Sequence, residues 1–204
     1  MHARPISCVA APKACRQARA VRCHLYVFPC AYEDLLKLGF SRDPLARMQQ
    51  LHPRWFEFFD LDRALAVETE GERDARDLEL HYRRLLEAHN APMPITVREA
   101  AGGAREWYRG AYTLLADAAD DLRTRGHIVH APLRPWLREA LARRADLLYA
   151  WSTAMLTVDE LERPRADTPV QRTVRDALDA FDALDLPLAP YLPEAVLHWH
   201  RALR

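Results

Sequence analysis

Asp43-Pro44 constrains this chain more than any other pair of residues. An aspartate side chain accepts from the free amides of a helix's first turn, and proline fits the first helical position because the donor it lacks is not needed there. The pair predicts a helix beginning at Pro44, and Leu45, Met48 and Leu51 then repeat at the spacing of one apolar helix face. Arg47 lies within a turn of that face's edge, so it can lean over whatever the helix packs on. Just upstream, Leu35 to Phe40 reads as a strand, with Gly39 allowing a bend or a close backbone approach.

Neighbouring runs extend the pattern. Leu25-Tyr26-Val27-Phe28 is a short β-prone run stopped by Pro29. Arg63 to Thr69 reads as a third strand, with Ala64, Leu65, Ala66 and Val67 in its middle. Gly71 to Glu87 reads as a helix with Ala75, Leu78, Tyr82, Leu85 and Leu86 on one broad side. The expected unit is α+β: a three-stranded antiparallel or mixed sheet from residues near 24–28, 36–40 and 63–68, with helices 44–51 and 72–88 packed against it.

After Gly110 the pattern turns helical, which suggests a boundary there. Ala111 to Arg125 carries Tyr112, Leu115, Ala119 and Leu122 at helical spacing. Pro132 to Val158 reads as one long amphipathic stretch, with Leu137, Leu141, Leu148, Trp151, Met155 and Val158 along a stripe. Thr168-Pro169 caps a further helix bearing Val170, Val174, Leu178 and Phe181, and Pro193 to Leu203 fits a last short one. The expected organisation is a basic N-terminal arm over residues 1–22, an α/β domain over 23–110, and a helical extension over 111–204.

Charge excludes little by itself. Lysine plus arginine balance aspartate plus glutamate at 29 each, so net charge gives no support to nucleic-acid binding. The distribution is less even: residues 1 to 50 hold eight basic side chains against Glu33, Asp34 and Asp43. Only Lys13 and Lys37 are lysines; with the Ala, Leu and Asp richness, this is the bias a GC-rich bacterial genome produces. The acid-free first 22 residues resemble a transit peptide in composition, and a flexible arm or an upstream start codon fits equally. No apolar run approaches the roughly 18 residues of a membrane span, and a cytoplasmic location is expected. Cys8, Cys15, Cys23 and Cys30 lack paired zinc-site spacing and read as free thiols.

Four pieces in order carry a family resemblance. Tyr26 stands in the first strand, and Lys37-Leu38-Gly39-Phe40-Ser41-Arg42-Asp43-Pro44-Leu45-Ala46-Arg47 follows. Ala75-Arg76-Asp77-Leu78-Glu79-Leu80-His81 and Arg105-Glu106-Trp107-Tyr108 complete the set. Over residues 23 to 110 the chain resembles a GIY-YIG nuclease domain, of the branch whose second motif reads K-[IL]-G-x-S-x-[DN]-P-x-x-R.

The resemblance implies a divalent-metal-dependent endonuclease acting on DNA, with Mg²⁺ or Mn²⁺ on one helix carboxylate. Tyr26 matches the tyrosine that helps activate water, and Arg47 the arginine near the phosphate. Lys37 stands where the second motif names a tyrosine; a lysine there can contact phosphate as a point charge. For the metal, Leu80-His81 sets a register that favours Asp77, with Glu79 taking the role if the register slips. Two residues are about 200° of helix rotation, so only one of the two faces the site. Glu106 is read as orienting an active-site group or pairing with arginine, and Trp107 as a core anchor. Gly102-Gly103 reads as a turn, His24 as a buried or edge histidine on the strand face opposite Tyr26, and His127, His130, His198 and His200 as structural. Lysine for tyrosine and aspartate for glutamate leave open an impaired module that binds nucleic acid without cutting it. Neutral charge leaves open a protein-interaction domain, with a partner on residues 111–204.

Overall fold

The computed structural model describes residues 22–202. The expected arm over residues 1–22 therefore lies outside the described residues, apart from Arg22, as do Cys8 and Cys15; Cys23 and Cys30 are buried free thiols.

The fold is α+β. Strands β1 (Cys23–Pro29) and β2 (Leu35–Ser41) are followed by helices α1 (Pro44–Leu51) and α2 (Trp55–Phe58). Strand β3 (Leu65–Thr69), helix α3 (Glu72–Leu85), strand β4 (Trp107–Arg109), helix α4 (Tyr112–Thr124) and strand β5 (Val129–His130) come next. Helices α5 (Arg134–Ala142), α6 (Leu148–Met155), α7 (Val158–Glu162), α8 (Pro169–Ala183) and α9 (Glu194–Arg201) complete it. The three expected strands are present, but the sheet has five, in the order β4-β2-β1-β3-β5, and every pairing is antiparallel.

Strand β1 is central and buried along its whole length, because both sheet faces are covered. Its side chains alternate between two cores, as the strand period requires. Tyr26 and Phe28 join Leu45, Met48 and Leu51 of α1 and a large set from α5 to α9, including Leu137, Leu141, Val174 and Leu178. Leu25 and Val27 face the other way, against Leu115, Ala119 and Leu122 of α4, with Leu78 and Tyr82 of α3 at the margin. Residues beyond Gly110 are thus part of both cores. They also finish the sheet: β5 pairs with β3, and Leu133 N–H donates to Ala64 O at 2.8 Å.

The α1 cap forms as its sequence demands. Asp43 Oδ1 accepts from Ala46 N–H at 3.0 Å, while Oδ2 accepts from Arg144 at 2.8 Å. The long amphipathic stretch expected from Pro132 to Val158 forms α5 and α6, separated by a turn at Ala145–Leu147, and runs into the first residue of α7; Arg144 at the first break meets Asp43. Thr168 caps α8 in a reciprocal box with Gln171, satisfying two free amides of the first turn. No helix among the described residues is long and apolar enough to cross a membrane.

Candidate active site

Four elements deliver side chains to one cavity of about 330 Å³, lined by Tyr26, Lys37, Gly39, Phe40, Arg47, Glu79, Arg83, Gly103 and Glu106. Tyr26 on β1 lies directly opposite Gly39 on β2. The phenol ring occupies the space a side chain at 39 would fill: a Cβ there would sit 2.4 Å from the Tyr26 hydroxyl oxygen. Phe28 stacks on the same ring at 4.0 Å between centroids.

Arg47 leans over the sheet as expected. Its Nε donates to the Tyr26 hydroxyl at 3.2 Å, and its amino groups donate to Ala101 O at 2.6 Å and Gly102 O at 3.4 Å. The guanidinium is thus held by the phenol on one side and by loop carbonyls on another.

Lys37 is 1% exposed. Its Nζ donates to Leu38 O at 2.9 Å and to Glu106 Oε2 at 3.1 Å. Burial pulls the ammonium down to about 8, and the facing Glu106 carboxylate only partly opposes this. Glu106 is shared, because its other oxygen lies 3.5 Å from Arg83. Glu106 thus pairs with an arginine, as one of its two readings expected, and also with Lys37.

The carboxylate expectation needs correction. Asp77 is exposed and faces Arg73 at 4.0 Å, away from Tyr26 and Arg47. Glu79 is buried and lines the cavity. The face of α3 is fixed by Ala75, Leu78 and Tyr82 packing inward, and Glu79, four residues after Ala75, falls on that side. Among the described residues, Glu79 forms no hydrogen bond or ion pair. Burial raises its carboxyl above the ordinary value, with Arg83 opposing.

Burial also raises the Tyr26 phenol, with the Arg47 charge opposing. Tyr26 keeps its proton at neutral pH, so it is a poor proton acceptor.

Two contributors escaped the sequence reading. Gly103, read as part of a simple turn, has φ +74°, and a Cβ there would meet Glu106 at 2.8 Å, Lys37 Nζ at 3.0 Å and Arg47 at 3.1 Å. The left-handed conformation favours glycine here, and any side chain would also have to push aside the ends of Glu106, Lys37 and Arg47. Arg83 stands four residues after Glu79 on α3, a spacing that places both on one side of the helix. Trp107 is fully buried, as a core anchor should be.

His24 is buried as expected, but on the other strand face. His24 shares the Tyr26 face of β1, since residues two apart in a strand point the same way. His130 meets Glu68, and His200 meets Asp179 and Asp182.

The chain matches no family model, no curated protein and no solved structure.

Proposed function

We propose that this protein is a divalent-metal-dependent endonuclease of GIY-YIG type, hydrolysing DNA phosphodiester bonds. The carrying observation is the convergence of Tyr26, Lys37, Arg47 and Glu79, from β1, β2, α1 and α3, on one cavity. Such a hydrolysis needs a bound phosphate, relief of developing negative charge and a route for the proton of the attacking water.

Glu79 is the carboxylate that would hold Mg²⁺ or Mn²⁺. Among the described residues it is a hard oxygen donor with no hydrogen bond or ion pair of its own, and Mg²⁺ keeps several waters and needs few protein ligands. When bound, the ion supplies positive charge beside the phosphate and a more acidic water. Arg47 binds a phosphate oxygen through its forked donors and stays charged throughout. Tyr26 fixes the guanidinium and offers its own O–H to the phosphate. Lys37 takes the proton of the water that bonds to phosphorus, and the ester oxygen released as the opposite P–O bond breaks is protonated by solvent. A neutral amine keeps two N–H donors for Leu38 O and Glu106, with one lone pair left over. Its lowered value of about 8 makes that form accessible near neutral pH.

A second reading has its own observation. Gln50 and the Ala101 and Gly102 carbonyls already take three of Arg47's four amino N–H groups, so a two-pronged grip on phosphate must displace at least one of them. A module that binds DNA without cutting it accommodates this. Supercoiled-plasmid cleavage in Mg²⁺ and in Mn²⁺, with EDTA as control, separates the two. Nicked or linear product that EDTA abolishes supports the nuclease. Gel-shifted but intact plasmid with either ion supports the binding module.

A further inference from the structure

A second constellation stands on the Tyr26 face of the sheet. Tyr26, Ala66 and His130 form one row across β1, β3 and β5, and His24 and Glu68 form the next. Paired residues in a sheet share a face, so His24, Glu68 and His130 converge although 106 positions separate the first from the last. One ligand atom from each lies within 4.8 Å of the others. His130 Nε2 is 3.0 Å from Glu68 Oε1, and Arg22 donates to Glu68 Oε2 at 2.5 Å, fixing the carboxylate. His24 is 7% exposed, and its Nδ1 is buried with no hydrogen-bond partner. The Trp136 ring of α5 lies 5.5 Å from the His24 ring and 6.2 Å from that of His130.

We propose that His24, Glu68 and His130 bind a single zinc-class divalent ion, separate from the Glu79 site and independent of the nuclease reading. Two ligands at about 2.1 Å from a tetrahedral ion stand about 3.4 Å apart. The His130–Glu68 pair is already near that spacing, and the 4.8 Å envelope closes with small side-chain shifts. Two imidazoles and one carboxylate select a late first-row ion over Mg²⁺, which takes oxygen donors. Three protein ligands leave a fourth position for water or an exogenous ligand. The ion ties β5, only two residues long, to β3 and β1.

Metal-free full-length protein is titrated with Co²⁺, whose visible ligand-field bands report tetrahedral nitrogen and oxygen donors. With the Glu79 site filled by excess Mg²⁺, one Co²⁺ per chain giving tetrahedral bands is expected, displaced by Zn²⁺. His130→Ala and Glu68→Gln, each checked for fold by circular dichroism, should weaken binding by at least about tenfold. Glu79→Gln should leave it unchanged. A wild-type protein without visible bands overturns the proposal, whatever the variants do. So does intense near-ultraviolet thiolate charge transfer, which would put the ion on cysteine. Binding that survives in folded His130→Ala and Glu68→Gln also overturns it.

Discussion

The Tyr26 hydroxyl accepts a hydrogen bond from Arg47 Nε at 3.2 Å, joining the central strand to the helix that Asp43 caps. The contact orients the guanidinium from beneath. It also occupies a lone pair of the phenol, consistent with a tyrosine that positions rather than deprotonates.

Arg47→Ala tests whether that arginine acts in the transition state. Plasmid cleavage should fall by roughly 10²–10³, the usual loss for one oxyanion-type donor. DNA affinity should change little, and the salt slope by about one unit. Arg47→Lys should not restore cleavage, because an ammonium cannot reproduce the fork that meets Tyr26 and the loop. Equal losses in binding and cleavage would argue for a ground-state role.

Glu79→Gln should abolish Mn²⁺ binding at the cavity in isothermal titration, whereas Asp77→Asn should leave it intact. Asp77→Asn should also change stability by no more than about 0.5 kcal/mol, because the side chain is exposed. Loss of Mn²⁺ binding in Asp77→Asn alone would reverse the assignment.

Lys37 predicts two pH effects. If its neutral amine takes the proton, kcat/KM should rise about tenfold per pH unit below about 8 and level off above it. Lys37→Met should remove that limb. Stability moves in its own window. The folded value of about 8 lies below the ordinary 10.5, so the unfolded chain binds more protons between them. Stability from this group therefore rises as pH goes from 8 towards 10.5, and denaturant midpoints across that range check the sign.

Gly39→Ala should destabilise the fold by about 1–3 kcal/mol, since the new methyl meets the buried Tyr26 ring. Adding Tyr26→Phe removes the nearest atom, the hydroxyl oxygen at 2.4 Å, and should recover part of that loss. A double-mutant cycle measures the coupling. Strict additivity would mean that the strand opens elsewhere.

Much of the fold was legible because each expected strand and helix carried its own local signal. The α1 helix begins at Pro44 and ends at Leu51, as its cap and apolar spacing require. Strands β4 and β5 were not legible: three and two residues are too few to show a period, and long-range pairing creates them. Tyr26, Lys37 and Arg47 came together as expected. Of the two candidate carboxylates it is Glu79, not the favoured Asp77, that joins them, because the stripe of Ala75, Leu78 and Tyr82 sets the inward side of α3 and the Leu80-His81 register does not. Gly103 was invisible because its role comes from three side chains that only folding brings around it. The acid beside His130 was likewise hidden, since Glu68 lies 62 positions away.

The same brevity of β4 and β5 bears on how the molecule behaves in a crowd. The central strand β1 is paired on both sides, β2 is covered on its outer edge by β4 over Leu35–Lys37, and each margin ends in a strand of three or two residues. A second chain seeking to add itself edge-on to β4 or β5 finds a template of only three or two residues. An antiparallel sheet rich in leucine and valine is thereby shielded from runaway self-association.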